Sequence, residues 1–314
     1  MTDLARLREC YAEELRAVSN LHSPLLVRAF ASVPREHFLG PGPWEILAPA
    51  EPRRIAYRTT EDADPKHLYH NVLVAIDTSR HLHNGQPSAL AQWIDSLDLQ
   101  EGERIVHIGC GVGYYTAILA EVVGSAGHVM AIELDPDLAG RARKNLCHLA
   151  HVEVVEGDGG TYDVGPADAI FVNAGATHPR QLWLDSLRAG GRLLVPLTVA
   201  INTLGHGGGG MLKVTQHPRG FSARFISEVR IFPCIGARDA EMNEKLTEAL
   251  RGGAWQAVES LRRDPHEPTG TCWLHSRAFC LSTLALAEDA APIPSPPAGS
   301  ETVAGLTALT ERRP

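Results

Sequence analysis

Apolar and polar positions recur along this chain with two periods, and the order in which the periods succeed one another predicts a fold. Residues 3 to 17 and 24 to 33 carry apolar positions at helical spacing, the second run (PLLVRAFASV) closed by Pro34, and predict two helices. From Gly40 to His70 the periodicity gives way to a stretch rich in Pro, Gly, Arg and Asp, a length of irregular chain that in compact proteins belongs to a lid or binding loop. The pattern then becomes regular: a helix near 87 to 97, strand 104 to 108, helix 113 to 123, strand 128 to 133, helix 136 to 148, strands 152 to 155 and 168 to 173, helix 179 to 188, strand 191 to 196. Strands alternating with helices predict parallel pairing with helices on both faces, and the apolar runs at 104 to 108 and 169 to 172 belong mid-sheet. Beyond the glycine run of residues 205 to 210, which reads as a flexible turn, residues 211 to 216 and 221 to 232 predict an antiparallel hairpin closing the sheet. Residues 239 to 263 read as two helices broken at Gly252-Gly253, and the Pro- and Ala-rich segment from 286 onward as a mobile tail.

Composition narrows the partners. In 314 residues, 29 Lys and Arg stand against 37 Asp and Glu, a formal charge of -8 that disfavours a broad phosphate-binding surface and hence nucleic acid. No segment approaches the roughly 18 apolar residues of a membrane helix, and the N-terminal twenty carry no apolar stretch of signal-peptide type. Six scattered cysteines without a C-x-x-C pair predict reduced thiols and a cytoplasmic protein.

Candidate chemistry gathers at the ends of the first strands. Gly109-Cys110-Gly111-Val112-Gly113 falls between the strand at 104 to 108 and its helix, where glycine lets a ligand approach the backbone and the helix offers unpaired N–H groups. Tyr114 stands where the dinucleotide fingerprint needs its third glycine, so a pyrophosphate grip is disfavoured. Glu133 ends the second strand, placed either to accept ribose hydroxyls or to serve as a surface acid, with Asp135 the better cap for the helix opening at Pro136. Asp158, between Gly157 and Gly159, can accept from an adenine amino group or simply form an Asp-Gly turn. Three such features on the carboxyl ends of successive strands point together to a nucleotide-like cofactor.

The run Val106-His107-Ile108-Gly109-Cys110-Gly111-Val112-Gly113-Tyr114, followed by Ala131-Ile132-Glu133, Glu156-Gly157-Asp158-Gly159 and residues 189 to 196 (AGGRLLVP), resembles the protein-L-isoaspartate O-methyltransferases. Upstream, residues 32 to 38 (SVPREHF) resemble that family's V-P-R-x-x-F segment and Gly85-Gln86-Pro87-Ser88 its G-Q-T-I-S loop, so the likeness spans about residues 25 to 232. The resemblance implies a Rossmann-like, seven-stranded fold of α/β class and S-adenosylmethionine (SAM) as cofactor. It implies that Gly109, Gly111 and Gly113 face the methionine end, Glu133 the ribose and Asp158 the adenine, with Cys110, Tyr114, Leu134, Gly159 and Asn173 completing the cofactor set. The implied reaction is attack of a peptide or protein carboxylate on the cofactor's methyl group. Ser88 would be the substrate-positioning serine at the catalytic centre, with Asn84, Gln86 and His178 orienting the acceptor. Departures are visible: only Pro87 separates Ser88 from Gln86, His107 replaces an acid, residues 172 to 176 read VNAGA where the family has V-T-A-A, and the chain from 233 is an addition.

The expected organisation is N-terminal helices and substrate loop over 1 to 86, a SAM-binding core over 87 to 232, a C-terminal helical extension over 233 to 285 and the tail over 286 to 314. Alternative readings are a peptide-tailoring methyltransferase, an N- or O-methyltransferase of a small molecule, and a SAM-binding partner protein without transfer chemistry. His67 and His70, like His81 and His83, sit in no fuller ligand set, so no metal is expected. The run from His70 to Asp77 reads as a strand that either delivers Asp77 to the site or ends in a turn acid, and Trp255 and Trp273 as packing residues.

Overall fold

The computed structural model describes residues 3–48, 56–200 and 207–286. Helices α1 (Leu4–Ser19) and α2 (Pro24–Ser32) form where the periodicity placed them, and Asp3 and Ser23 cap them by accepting the N–H groups of Arg6 and Leu26. The stretch after them is less irregular than its composition suggests. It contains the antiparallel pair β1 (Glu45–Ala48) and β2 (Ala56–Thr59), then the shorter pair β3 (Ala75–Asp77) and β4 (Leu82–His83). Asp77 accepts the N–H groups of Ser79 and Arg80, so it is the turn acid of the two readings.

Arg35 organises this region. Its side chain is fully buried, and its guanidinium donates to the carbonyls of Leu68 (2.7 Å), His70 (3.1 Å) and Val72 (2.8 Å) while lying 5.9 Å from the centre of the Tyr114 ring. A planar, permanently charged fork can satisfy three carbonyls at once, which fastens the loop to the main body.

The main body runs α3 (Pro87–Asp95), β5 (Arg104–Ile108), α4 (Tyr114–Val123), β6 (His128–Glu133), α5 (Pro136–Leu146), β7 (Val152–Glu156), β8 (Ala167–Val172), α6 (Gln181–Asp185), β9 (Leu187–Ala200), β10 (Gly207–His217) and β11 (Gly220–Ile231). These strands lie in the order β7-β6-β5-β8-β9-β10-β11, parallel as far as β9 and antiparallel beyond. The seven strands and the α/β class are as expected. Along β5, Ile105 joins one apolar cluster with α1, α2 and α4, while Val106 and Ile108 join a second on the other face, which is why that strand is mostly apolar.

Two expectations about elements fail for physical reasons. Gly207 to Gly210 form no turn; they are laddered in β10 between β9 and β11, whereas Gly205 and His206 fall outside the described residues. A Cβ at Gly209 would overlap the carbonyl of Leu197, and one at Gly210 would lie 2.5 Å from the Phe225 ring. Close approach, not flexibility, explains these glycines.

The hairpin β10–β11 forms but does not end the sheet. Helix α7 (Ala240–Gly252), capped by Asp239, is followed by strand β12 (Ser260–Arg262) where a second helix was expected, then by β13 (Cys272–His275) and β14 (Cys280–Ser282). These continue the sheet as β11-β12-β14-β13. The segment is drawn into the sheet because Val258, Leu261, Leu274 and Leu281 extend the apolar face of β9 to β11 and share one buried cluster with Met242 and Leu246 of α7. Trp255 and Trp273 both pack edge-on against Phe225, as packing residues. The tail, apart from Leu286, falls outside the described residues.

Candidate functional site

The strand order reverses between β5 and β8, so the loops leaving their carboxyl ends part and open a crevice. At the carboxyl ends of the parallel strands stand the glycine turn after β5, Glu133 at the end of β6, Asp158 after β7 and Asn173 after β8. Backbone bonds weld the turn to its neighbours: Gly109 N–H donates to Ile132 O and Asn173 N–H to Ile108 O, both at 2.8 Å.

Gly109, Gly111 and Gly113 all have positive φ, but the last two serve different ends. At Gly113 (φ 92°) an added Cβ would lie 2.8 Å from Leu146, so glycine there lets α4 and α5 pack. At Gly111 (φ 58°) the Cβ direction has nothing within 4 Å, so the turn faces open space with bare backbone. Tyr114 buries its ring against Phe38 and Tyr115, which leaves its backbone, at the start of α4, as the part facing the turn.

Glu133 supports the turn directly. Its Oε2 accepts Gly111 N–H at 2.7 Å and its Oε1 accepts Asp135 N–H at 3.1 Å. Burial pushes the carboxyl up from its ordinary value, while the N–H groups of Asp135, Gly111 and Leu134 hold it down against that trend. Each oxygen keeps a second acceptor site, enough for a diol. Asp135 caps α5 as expected, accepting Asp137 N–H at 3.0 Å and Leu138 N–H at 3.1 Å. Leu134, beside Glu133, is 43% exposed, an apolar surface at the crevice edge.

Asp158 accepts Gly160 N–H at 2.8 Å, so it does form a turn, and Gly159 packs so closely on Ile108 that a Cβ would overlap it. A segment that sequence reasoning missed also meets this acid. Residues 233 to 237, leaving β11, pair with Gly175 through reciprocal backbone bonds, and a Cβ at Gly236 would overlap the Asp158 carboxylate. The neighbouring Ile235 is 70% exposed. In sequence Cys234-Ile235-Gly236 has no motif; only the crossing of chains after β8 and β11 identifies it.

His107 occupies the acid's place on β5. It is wholly buried, stacked on Phe171 with ring centres 5.1 Å apart, and its Nδ1 lies 2.9 Å from Thr116 Oγ1. Burial alone pushes its pKa down to about 3, so the ring is neutral, and its Nε2 has no partner among the described residues. A neutral ring with one free nitrogen can hydrogen-bond a bound ligand but cannot supply the negative charge of a carboxylate. The Cys110 thiol is also buried, which pushes its pKa far up, with Glu133 adding to the shift; it is no nucleophile.

The acceptor-side residues divide into two groups. Asn84, Gly85 and Gln86 form the loop into α3 and Ser88 lies in the helix's first turn, and Gly85 of the loop packs on Tyr115, the residue after the turn's helix start. Ser88 N–H donates to Asn71 Oδ1 at 3.0 Å and its carbonyl accepts from Ser19, while Asn84 is buried with an unpartnered Nδ2 and Gln86 is exposed. His178 instead stacks on Phe279 of the C-terminal addition, 6.0 Å between centres, with Nδ1 3.0 Å from Thr177 Oγ1. The residues around 40 to 48 supply one wall, including Pro41 and Trp44, of a cleft of about 350 Å³ whose other wall carries Leu138 and Arg141 of α5.

A sheet of this order binds nucleotide-like cofactors at its switch point, the lack of a third fingerprint glycine disfavours a dinucleotide there, and the family profile that the chain matches decides the class: the protein is a SAM-dependent methyltransferase. Residues 8–204 match the profile of the family described as protein-L-isoaspartate(D-aspartate) O-methyltransferase, and the chain belongs to that family. It is similar to protein-L-isoaspartate O-methyltransferase 1 of Archaeoglobus fulgidus, with 37% identity over 145 residues, 42% of this chain and 67% of the relative. It is also similar to the Methanothrix thermoacetophila protein-L-isoaspartate O-methyltransferase, at 33% over 187 residues, 58% and 78% of the two chains. Among solved structures, a protein-L-isoaspartate O-methyltransferase superposes with a TM-score of 0.58 at 21% identity, covering 82% of this chain and 72% of the other. A Plasmodium falciparum protein assigned to the same enzyme, solved with S-adenosyl-L-homocysteine, gives 0.54 at 16%, covering 72% and 97%. At such identities the structural likeness speaks for the fold alone.

Proposed function

We propose that the protein transfers the methyl group of SAM to a carboxylate of a peptide or protein, either an isoaspartyl residue or a particular Asp or C-terminal carboxylate. The observation that carries this reading is the turn at Gly111, bare of side chain and braced by the Glu133 carboxylate, at the switch point of a sheet whose sequence belongs to a carboxylate-methylating family. Methionine would lie along residues 109 to 113, the ribose hydroxyls on Glu133, and adenine between Leu134 and the Asp158 edge. An ionised carboxylate is already a nucleophile and the sulfonium a good leaving group, so holding oxygen, methyl carbon and sulfur in line is the main task. Gln86, on the loop packed against Tyr115, and Ser88, in the first turn of α3, would hold the acceptor.

The shortened spacing before Ser88 bears on how the acceptor is held, and the neutral His107 on how the methionine end of the cofactor is bound. No helix among the described residues is long and apolar enough to cross a membrane, and all six cysteines are free, in keeping with a reducing cytoplasmic setting.

Calorimetric titration with SAM and with NAD tests the cofactor: tight binding of SAM alone is expected, and NAD binding in its place would refute the assignment. Glu133→Ala should weaken SAM binding by about 10- to 100-fold, the magnitude of one or two hydrogen bonds to a charged group. Unchanged affinity would remove Glu133 from the ribose site. Labelled SAM offered with an isoaspartyl peptide, the matching Asp peptide and cell extract then identifies the acceptor, and no labelled product with any of them would favour a SAM-binding partner without transfer chemistry.

A further inference from the structure

The strands added at the sheet edge, β12 to β14, lie beyond the family match at 8–204. They bring together His266, Cys272, His275 and Cys280, whose ligand atoms all lie within 4.8 Å of one another. We propose that these four residues form a structural zinc site that staples the C-terminal strands and the loop before them to the sheet edge.

The backbone builds this cluster by two devices. His275 and Cys280 are direct cross-strand partners in the β13–β14 pair, so their side chains share a face. Cys272 is three residues before His275, which in a regular strand would put the two on opposite faces. A register shift between Cys272 and Leu274 inserts one residue and sets Cys272 opposite Ser282, two positions from Cys280 and on its face. His266 comes from the preceding loop, its ring edge-on to that of His275 with centres 4.8 Å apart.

The groups around the cluster suit ligation. His266 Nδ1 lies 2.8 Å from the carbonyl of Asp264, a bond that fixes that nitrogen as the protonated one and leaves Nε2 with its lone pair. That Nε2 is 3.5 Å from Cys272 Sγ. Tetrahedral zinc, with bonds of about 2.3 Å to sulfur and about 2.0 Å to nitrogen, sets an S-to-N edge near ~3.5 Å. Thr269 N–H donates to Cys272 Sγ at 3.3 Å, the kind of bond that orients a thiolate ligand. His275 buries Nδ1 without a hydrogen-bond partner, and ligation through that atom would satisfy it.

Two cysteines and two histidines around one point are the donor set of a closed zinc site, with borderline-soft sulfur and nitrogen and no position left for water. Binding would displace the two thiol protons to solvent and leave a neutral site. The loop from 263 to 271 has no regular secondary structure, and the β12–β11 ladder pairs two residues of β11, Phe221 and Ser222, so a metal would add its tie where the chain between β12 and β13 lacks a ladder.

Elemental analysis and native mass spectrometry of the full chain, expressed with zinc and gel-filtered, should give one zinc per chain. Cobalt(II) in its place should show the visible absorption of a tetrahedral site and a thiolate charge-transfer band. The double variant Cys272→Ser/Cys280→Ser should lose both signals, and Cys147→Ser, at an exposed cysteine, should keep them. Zinc well below one per chain with no cobalt spectrum overturns the proposal, and so does a chain two hydrogens light with a Cys272–Cys280 disulfide found by peptide mapping. The cobalt spectrum of the wild type decides the matter even if the double variant fails to fold.

Discussion

His107 shows how one side chain ties the cofactor crevice to stability. Its pKa is held down to about 3 in the folded protein by burial and returns to about 6.5 when the chain unfolds. Below pH 6.5 the unfolded chain therefore binds a proton that the folded one excludes. The stability contribution is full above that pH and is lost as pH falls toward 3, at about 1.4 kcal/mol per unit. Urea denaturation at pH 6.5 and pH 5 should show a loss of about 2 kcal/mol that His107→Phe does not share, whereas equal losses in both proteins would mean that the folded ring is protonated. Cofactor binding by this neutral ring should accordingly show no His107 titration between pH 5 and pH 8.

Within single elements, the tightest constraint lies in β10. Gly209→Ala would drive a methyl into the Leu197 carbonyl and should cost at least ~2 kcal/mol in chemical denaturation. Gly140→Ala is the matching control, because Gly140 is exposed on α5 with nothing within 4 Å of its Cβ direction, and it should stabilise by up to about 1 kcal/mol. If both substitutions act alike, packing does not decide the β10 glycines. Arg35 works between elements. Arg35→Ala strips three carbonyls of a buried charged donor and should cost about 3 kcal/mol or more, with early hydrogen exchange or proteolysis concentrated in residues 65 to 77. Exchange spread evenly over the chain would contradict its role as the fastener of that loop.

Across the whole molecule, the C-terminal addition and the cofactor crevice are one structure, because residues 233 to 237 cross the end of β8 and seat Gly236 on Asp158. Gly236→Val should displace that carboxylate and weaken SAM binding while the circular dichroism of the sheet stays unchanged; wild-type affinity would place adenine away from Asp158. The parallel core was legible in the chain because its signals are local. Periods of two and 3.6 mark strands and helices, Pro24 and Pro136 mark helix starts, and Gly109 to Gly113 with Glu133 and Asp158 recur at fixed distances along successive strands. Such features follow from backbone geometry within a few residues, so the sequence by itself determined the class of fold and a place for a nucleotide-like cofactor, while the family resemblance carried by the same residues made that cofactor SAM. What it did not reveal depends on atoms brought together from far along the chain. The glycines of β10 read as a turn until Leu197 and Phe225 were seen against them, and the residues of β12 read as helix until their pairing along β11 was seen. The stacking of Phe279 on His178 joins two stretches about a hundred residues apart, and the run from His266 to Cys280 contains no paired-cysteine motif because a bulge and a cross-strand register, not sequence spacing, converge its four donors. Tertiary structure alone decided these, because close packing and ligand convergence are properties of three-dimensional neighbours that no local period encodes.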